Sequence, residues 1–507
     1  MGSVKRKRRK GPEPFTSFLT YGIISRKVRN EKRLFTGRNE MVFSSIVFLF
    51  VFLAAVLVLS LVCPMRFQNI LLLAASLCFY LWGEWRFAGI LILSTLFDYG
   101  MGLLIGYFRE KEQKGAAKAA LIVTVIGNLS VLVVFKYSGL LVRSMNALGA
   151  SFRVPAFVLP LGISFYTFQQ MSYIIDVYRG TVKPQKNPVS FATYVMLFPQ
   201  LIAGPIVRYN EIEKQLQERT RSLTDYAEGI RRFVCGLAKK VLLANAAGAV
   251  YETIAGNAER SVLLSWLGLF LYAFQIYFDF SGYSDMAIGL GKMFGFSFPE
   301  NFDHPYEAKS ATEFWRRWHI TLSTWFREYV YIPLGGNRRG KVRTIFNLLI
   351  VWALTGFWHG AEWNFLLWGL YWFVLLTIEK CGFDKILEKL PNVLRHVYAL
   401  LIILFGWVLF AHENLSAAGS YVRSLFCGSF YTAETGYLFC SNIGMIILAA
   451  LFSTSLPGRC AAAFKKKTKE EALTPAVLRT AVMALVFLLC VACLIRESYN
   501  PFLYFRF

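Results

Sequence analysis

The stretch LTGFWHGAEWNFLLWGLYW, Leu354 to Trp372, places a histidine inside an apolar tract. This residue, His359, belongs to a nearly continuous apolar run of 36 residues from Thr344 to Glu379. A single straight helix of that length would extend about 54 Å, against a bilayer hydrocarbon core of about 30 Å. The run therefore predicts a broken helix. We expect the interruption at Gly356–Gly360, because glycine weakens a helix and irregular backbone at membrane depth must face protein or a cavity.

The composition of the whole chain is that of a membrane protein. Of its 507 residues, 56% are hydrophobic and only 17% are charged. Apolar runs of about 15–25 residues recur from end to end, close to the 20 or so that a helix needs to span a bilayer. These runs predict an all-α polytopic membrane protein with roughly 10 to 13 membrane segments.

The net charge of +24 comes mostly from the spaces between the apolar runs. Lys and Arg cluster at Arg208–Lys240, Lys292–Arg343 and Lys465–Lys469. This pattern is typical of cytoplasmic loops beside anionic lipid, so we expect membrane lipid and no nucleic acid as a partner. The nine cysteines are scattered, largely within apolar runs, and indicate neither a metal site nor a disulfide framework.

The first forty residues differ from the rest of the chain. They contain twelve Lys or Arg against three Glu and no uninterrupted apolar core. We expect residues 1–40 to be a basic, mostly disordered extension and residues 41–507 to form the transmembrane domain, with its core motifs in 275–372. The alternative is a basic anchor on the cytoplasmic surface.

A second histidine lies in KSATEFWRRWHITLSTWFREYVYIPLGG, Lys309 to Gly336. Ser310 and Glu313 have the spacing of a helix N-terminal capping box. After them, apolar and polar residues alternate with helical periodicity, which predicts one amphipathic helix lying at the membrane surface. The predicted inward face comprises Trp315, Trp318, His319, Leu322, Trp325, Phe326 and Tyr329. The predicted outer face comprises Arg316, Arg317, Thr324, Arg327 and Glu328.

These two histidines suggest acyl transfer to a hydroxyl group. A buried imidazole tends to stay neutral, and a neutral ring can accept a proton from a hydroxyl as a general base. We expect His359 to be that base and His319 to orient a substrate or take part in the proton path. Glu362 either orients the His359 ring or pairs with a nearby arginine. A purely structural role is the alternative for each histidine, although ionisable groups at membrane depth are costly without a use.

Further polar residues lie in or beside apolar runs, notably in QIYFDFSGYSDMAIGLG, Gln275 to Gly291. They fit either of two interpretations: hydrogen bonds and Asp–Arg pairs that hold the helix bundle, which we favour, or the wall of a polar tunnel. The candidate substrate or tunnel residues are Asp279, Ser281, Asp285, Trp315, Arg316, Arg317, Trp318, Trp358, Glu362 and Asn364.

Together, the run from Gln275 to Gly340 and the later LTGFWHGAEWNFLLWG closely resemble the membrane-bound O-acyltransferase (MBOAT) family. The nearest branch is that of the alginate O-acetylation (AlgI-like) proteins. Three other segments match the same branch: MVFSSIVFLFVFL, LPLGISFYTFQQMSYIIDVYRG and FPQLIAGPIVRY. The resemblance therefore covers the chain from about Met41 to its C-terminus.

The resemblance implies a fold, a site and a reaction. The fold is a bundle of about 11 transmembrane helices with re-entrant or horizontal helices around a central tunnel. The family's intramembrane histidine corresponds to His359 in GFWHG, and its second conserved polar position to His319 in RRWHITLS. The implied donor is acetyl-CoA, used as a substrate with no bound cofactor. The implied acceptor is an exported polysaccharide or peptidoglycan at a bacterial cytoplasmic (inner) membrane. An extracytoplasmic acetyltransferase or polysaccharide-export machinery is the implied partner.

Two other functions remain as alternatives. The teichoic acid D-alanylation (DltB-like) branch shares the FWxRWH core but typically lacks the YIPLGGNR continuation found here at Tyr331–Arg338. A transporter or flippase for a cell-envelope precursor would also have many spans. Transporters often contain repeated halves with matching broken helices, and the aromatic-rich segment 311–372 has no counterpart elsewhere in the sequence.

Overall fold

The computed structural model describes residues 42–155, 157–257, 259–412, 414–467, 473–496 and 502–503. The chain divides into two units, Met1–Met41 and Val42–Phe507. The predicted basic extension, residues 1–40, lies outside the described residues, and its disorder stays a prediction.

Within the described ranges the protein is almost entirely helical, and the one strand-like pairing is an isolated antiparallel bridge between Phe302 and Trp318. The α-helices are Leu53–Val62, Gln68–Glu84, Ala88–Glu110, Lys114–Leu132, Ser138–Ala147, Ile163–Arg179, Pro188–Met196, Phe198–Leu201, Tyr209–Gln217, Leu223–Ala238, Asn245–Ala255, Val262–Met293, Ala311–Arg317, Ile320–Phe326, Lys341–His359, Trp363–Ile378, Asp384–Lys389, Asn392–Ala411, Leu415–Ser424, Ala433–Phe452, Leu456–Lys467 and Leu473–Arg496. Short π-helical turns occupy Phe48–Phe52, Val133–Tyr137, Lys239–Ala244, Arg327–Tyr331 and Glu379–Phe383. Single 3₁₀ turns occupy Met65–Phe67, Trp85–Phe87 and Pro305–Glu307.

Eight helical stretches in this part of the chain are long and apolar enough to cross a membrane. They are Met65–Glu110, Lys114–Ala147, Leu223–Ala255, Val262–Met293, Trp363–Lys389, Asn392–Ala411, Ala433–Phe452 and Val477–Arg496. The all-α polytopic architecture is therefore confirmed. The count of about 11 transmembrane helices stays a prediction.

The helix Val262–Met293 forms the centre of the bundle and is buried over most of its length. It packs directly against Leu223–Ala238 through facing glycines. A Cβ at Gly236 would lie 2.5 Å from the Gly282 carbonyl oxygen, and one at Gly289 would lie 2.6 Å from the Gly229 carbonyl oxygen. Small residues let two membrane helices approach this closely, so the polar side chains beside them become buried between the helices.

The apolar run around His359 folds into two antiparallel helices, Lys341–His359 and Trp363–Ile378, which we call the histidine hairpin. The chain reverses at residues 360–362, so the predicted interruption is confirmed. It falls just after His359, at the end of the predicted interval, and Gly356 stays helical. His359 therefore stands at the tip of the hairpin.

Two close contacts hold the hairpin together and show that its helices run in opposite directions. A Cβ at Gly356 would lie 2.4 Å from the Phe365 carbonyl oxygen. Further from the tip, one at Gly369 would lie 2.2 Å from the Trp352 carbonyl oxygen. Because both glycines are needed for backbone contact, they fix the register of the two helices.

The amphipathic segment begins as predicted but does not form one helix. Ser310 Oγ accepts a hydrogen bond from the Glu313 backbone N–H at 3.0 Å. The Glu313 carboxylate accepts from the Lys309 N–H at 3.0 Å and not from that of Ser310, so the predicted capping box is only half formed. The prediction of a single continuous helix was wrong, because the segment divides into Ala311–Arg317 and Ile320–Phe326.

The break between these two helices is held by the preceding loop. His319 adopts left-handed backbone angles, φ 45° and ψ 53°, which a helix cannot contain. The Asp303 N–H donates to the Arg317 carbonyl at 2.9 Å, and the Ile320 N–H donates to the Asn301 carbonyl at 3.0 Å. Pairing with this loop satisfies backbone groups that a continuous helix would have satisfied internally.

Candidate active site

His359 ends the first helix of the histidine hairpin and is almost fully buried, with 3% of its surface exposed. Aromatic rings meet its imidazole edge to face. The ring centroids lie 5.0 Å away for Trp358, 5.0 Å for Trp368 and 5.3 Å for Phe410. The imidazole therefore lies in an aromatic enclosure, where burial favours its uncharged form.

His319, also fully buried, is held by a hydrogen bond through one ring nitrogen. Its Nδ1 lies 3.1 Å from Asn301 Oδ1. The same oxygen accepts from the Thr321 backbone N–H at 3.3 Å, and this contact identifies it as the amide oxygen. In a neutral ring Nδ1 must then donate, so the acceptor lone pair is on Nε2.

Trp358 brings the two histidines into one site. Its ring centroid lies 5.7 Å from that of His319 and 5.0 Å from that of His359. The tip of the histidine hairpin therefore packs against the break between the two amphipathic helices. The two histidines, which were predicted from separate segments of the sequence, therefore contact the same indole ring.

A buried lysine that the sequence analysis did not select meets the end of the helix that carries His359. Lys136 Nζ donates to the Trp358 carbonyl at 2.5 Å and to Ser164 Oγ at 3.2 Å. The neighbouring Tyr137 hydroxyl donates to the Phe357 carbonyl at 2.6 Å. A basic residue inside the apolar run 119–141 was the sequence signal for this contact.

Glu362 and Asn364, the two polar candidate residues just after the hairpin tip, contact residues other than His359. Glu362 forms an ion pair with Arg143, and each side chain is 46% exposed. Of the two alternatives for Glu362, the structure shows the arginine pair. Asn364 Nδ2 donates to the His412 carbonyl at 2.9 Å, which ties the hairpin tip to the end of Asn392–Ala411.

The predicted tryptophans of the amphipathic segment lie in an aromatic core. The Trp315 ring centroid is 4.6 Å from that of Trp352, and the Trp318 ring centroid is 4.8 Å from that of Trp407. The neighbouring arginines lie elsewhere. Arg316 is exposed, and Arg317 pairs with Glu313 at 2.9 Å and bonds the Asp303 carbonyl.

The predicted acidic residues of the central helix form ion pairs with the adjacent helical segment. Asp279 pairs with Lys240 at 2.6 Å, with both side chains buried. Asp285 pairs with Arg232 and with Lys239, each at 2.6 Å. These contacts agree with the interpretation that they hold the bundle.

Ser281 is buried in the same central helix. Its neighbour Ser284 Oγ accepts a hydrogen bond from Asn301 Nδ2 at 3.2 Å. This contact links the central helix to the residue that holds the His319 ring.

A cavity of about 340 Å³ lies at the base of the histidine hairpin, beside Leu348 and Leu376. These residues are far along their helices from His359, so the cavity does not open onto the imidazole. The central tunnel implied by the resemblance stays a prediction.

The fold and this site define a class: a multi-pass helical membrane protein with two buried histidines against one indole. Residues 185–410 match the model of the MBOAT, membrane-bound O-acyltransferase family. The chain is 40% identical to a probable alginate O-acetylase AlgI from Azotobacter vinelandii, over 92% of this chain and 100% of the relative. It therefore belongs to the membrane-bound O-acyltransferase family.

Two further relatives, whose names give other reactions, are less similar to this chain in sequence. The chain is 36% identical to the peptidoglycan O-acetyltransferase of Helicobacter pylori, over 69% of this chain and 72% of that protein. It is 29% identical to the teichoic acid D-alanyltransferase of Bacillus subtilis, over 50% of this chain and 68% of that protein. The resemblance to the AlgI-like branch is confirmed, as is the class of enzyme, an O-acyltransferase.

Proposed function

We propose that this protein transfers an acetyl group from acetyl-CoA to hydroxyl groups of an exported polysaccharide or peptidoglycan at a bacterial cytoplasmic membrane. The similarity to an alginate O-acetylase along almost the whole chain supports acetyl transfer over D-alanyl transfer. Membership of an acyltransferase family argues against a transporter. The single observation that carries the proposed chemistry is the pair of buried histidine rings against Trp358.

In the proposed reaction His359 is the general base. Its neutral ring removes the proton from the acceptor hydroxyl as that oxygen attacks the thioester carbonyl. The new C–O ester bond forms, the C–S bond breaks, and the leaving thiolate takes the proton from the protonated His359 ring, which restores the base. The aromatic enclosure of the ring supports this role, because it excludes water from the base and favours the neutral form.

His319 orients the acceptor in this proposal. Its Nδ1–H donates to Asn301, so the acceptor lone pair of the neutral ring is on Nε2, and in this proposal that nitrogen accepts a hydrogen bond from a second hydroxyl or from the attacking one. The acceptor is either the polymer itself or a carrier hydroxyl that passes the acetyl group to an extracytoplasmic acetyltransferase or to the export machinery.

The test replaces His359 by Ala and measures O-acetyl groups on the cell's exported polymer. We expect a loss of about 10²-fold or more, the usual contribution of a general base. The matched control is His304→Asn. His304 is partly exposed and lies in a loop away from the proposed base. Its backbone is left-handed, a conformation that Asn tolerates, so the substitution should leave both the fold and the acetylation unchanged.

A purified preparation with labelled acetyl-CoA separates the chemical alternatives. Label should reach the polysaccharide or a hydroxyl-bearing carrier with the parent protein and not with His359→Ala. Normal acetylation by a well-expressed His359→Ala variant would contradict the role of His359. Label transfer from a D-alanyl donor in place of acetyl-CoA would favour the D-alanylation alternative.

A further inference from the structure

The end of the helix that carries His359 is completed by side chains from another part of the chain. A helix leaves its last carbonyl groups without partners of their own. Here the Phe357 carbonyl accepts from the Tyr137 hydroxyl at 2.6 Å, and the Trp358 carbonyl accepts from Lys136 Nζ at 2.5 Å. Lys136 Nζ also lies 3.5 Å from the His359 carbonyl oxygen. Two adjacent residues thus hold three consecutive carbonyls of the helix end.

Lys136 and Tyr137 belong to the π-helical turn Val133–Tyr137, between Lys114–Leu132 and Ser138–Ala147. π turns inside α-helices often occur at functional sites. Lys136 is only 9% exposed, and Ser164 Oγ accepts a hydrogen bond from its Nζ at 3.2 Å. Its ammonium is therefore held at a fixed place beside the helix end.

A lysine at this place supplies more than the hydrogen bonds that the helix end requires. A neutral donor is sufficient for a carbonyl, as the Tyr137 hydroxyl shows at the preceding residue. A buried ammonium in a membrane protein is costly and usually serves a function. In its protonated form the Lys136 side chain offsets the partial negative charge at the C-terminal end of the helix, within reach of the Trp358 and His359 backbone.

We propose that Lys136 is a positioning residue for acyl transfer: it holds the backbone of Trp358 and His359, and so the direction of the imidazole. This inference rests on the proposed role of His359. Small displacements of a catalytic group lower turnover strongly, because the reacting atoms must be aligned at contact distance. The Lys136 side chain is expected to act on turnover through His359 and not by contact with substrate.

The test compares Lys136→Met, Lys136→Gln and Lys136→Arg, purified as full chains, in turnover, KM for acetyl-CoA and thermal midpoint. We expect kcat per folded molecule to fall about 10²-fold in the Met variant, with KM little changed. Gln keeps a neutral donor, and the kcat of this variant should stay as low as that of the Met variant. Arg keeps a cationic donor, and its kcat should recover to at least a tenth of the parent value. Lys118→Met is the control, since Lys118 is exposed and lies on the same continuous helical stretch, Lys114–Ala147.

His359→Ala is measured beside these variants. If it keeps parental turnover, the proposed function fails, whatever Lys136 does. If it is inactive while Lys136→Met and Lys136→Gln turn over like the parent per folded molecule, the positioning role is overturned. A lowered thermal midpoint with parental kcat overturns it equally, because it shows a role in stability alone. If the Met variant does not fold, the comparison of Gln with Arg decides.

Discussion

Asn301 Oδ1 and His319 Nδ1 lie 3.1 Å apart inside a chain of hydrogen bonds. The Ile206 backbone N–H donates to Thr321 Oγ1 at 3.0 Å, and the Thr321 hydroxyl donates to Asn301 Oδ1 at 2.9 Å. The amide nitrogen of Asn301 donates to Ser284 Oγ at 3.2 Å. One amide group therefore joins three segments and sets both the direction and the tautomer of the His319 ring.

Asn301→Leu should lower turnover, because it frees the His319 ring and no longer selects the tautomer with its lone pair on Nε2. We expect kcat to fall by about 10²-fold, the usual cost of a small misplacement of the reacting groups. The Thr321 groups left unsatisfied should also lower the free energy of unfolding by about 1–3 kcal/mol. The measurement is acetyl transfer per folded molecule beside the thermal midpoint.

The control for this prediction is Asn128→Leu. Asn128 is equally buried and donates to Asp98 Oδ1 at 2.8 Å, in a different part of the bundle. It should lose similar stability and keep parental turnover. Equal loss of turnover in both variants would mean that Asn301 acts only through stability.

His319→Asn and His319→Ala should differ in stability and agree in activity. The left-handed backbone at φ 45° costs a residue with an ordinary side chain about 1–3 kcal/mol, whereas Asn adopts it more readily. We expect the Asn variant to have the higher thermal midpoint and both variants to be impaired in acetyl transfer. Parental activity in the Asn variant would show that only the backbone conformation matters at this position.

Much of the fold and part of the candidate site could be predicted from residues that are close together in the sequence. The apolar runs predict membrane helices, and the length of the run around His359 predicts a break, because no single helix of that length fits a bilayer. The aromatic periodicity correctly placed His319 on the buried side. These inferences depend only on residues close together in the chain.

The features that the sequence analysis missed depend on residues far apart in the chain. His319 is left-handed because its neighbours pair with the loop at Asn301; histidine adopts this conformation more often than most residues, but its presence alone does not predict it. The contact of Lys136 with Trp358 joins residues more than two hundred positions apart. Only the assembled bundle brings such partners together.

Gly356→Ala should destabilise the histidine hairpin. The new methyl group would lie 2.4 Å from the Phe365 carbonyl oxygen, so the two helices must separate. Overpacking of this kind costs about 1–3 kcal/mol.

Gly444→Ala, in the helix Ala433–Phe452, is the control because a methyl group there meets no heavy atom within 4 Å. A thermal unfolding series should show a lower midpoint for the first variant and an unchanged or higher one for the second. Equal midpoints would mean that the hairpin tolerates separation.

Asp279→Asn should separate the two interpretations of the acidic residues in the central helix. Asp279 and Lys240 form a buried ion pair at 2.6 Å, and the Asp279 carboxylate also accepts from the Leu503 backbone N–H at 2.8 Å. Removing one partner of a buried pair leaves an uncompensated charge and costs about 3–5 kcal/mol. We therefore expect a much lower thermal midpoint, with KM for the acceptor unchanged in the molecules that remain folded.

The double variant Lys240→Met with Asp279→Leu should be closer to the parent in stability than either single variant. Glu228→Gln, at a half-exposed pair with Lys292, should leave stability unchanged. A raised KM at parental stability would instead place Asp279 in the path of the substrate.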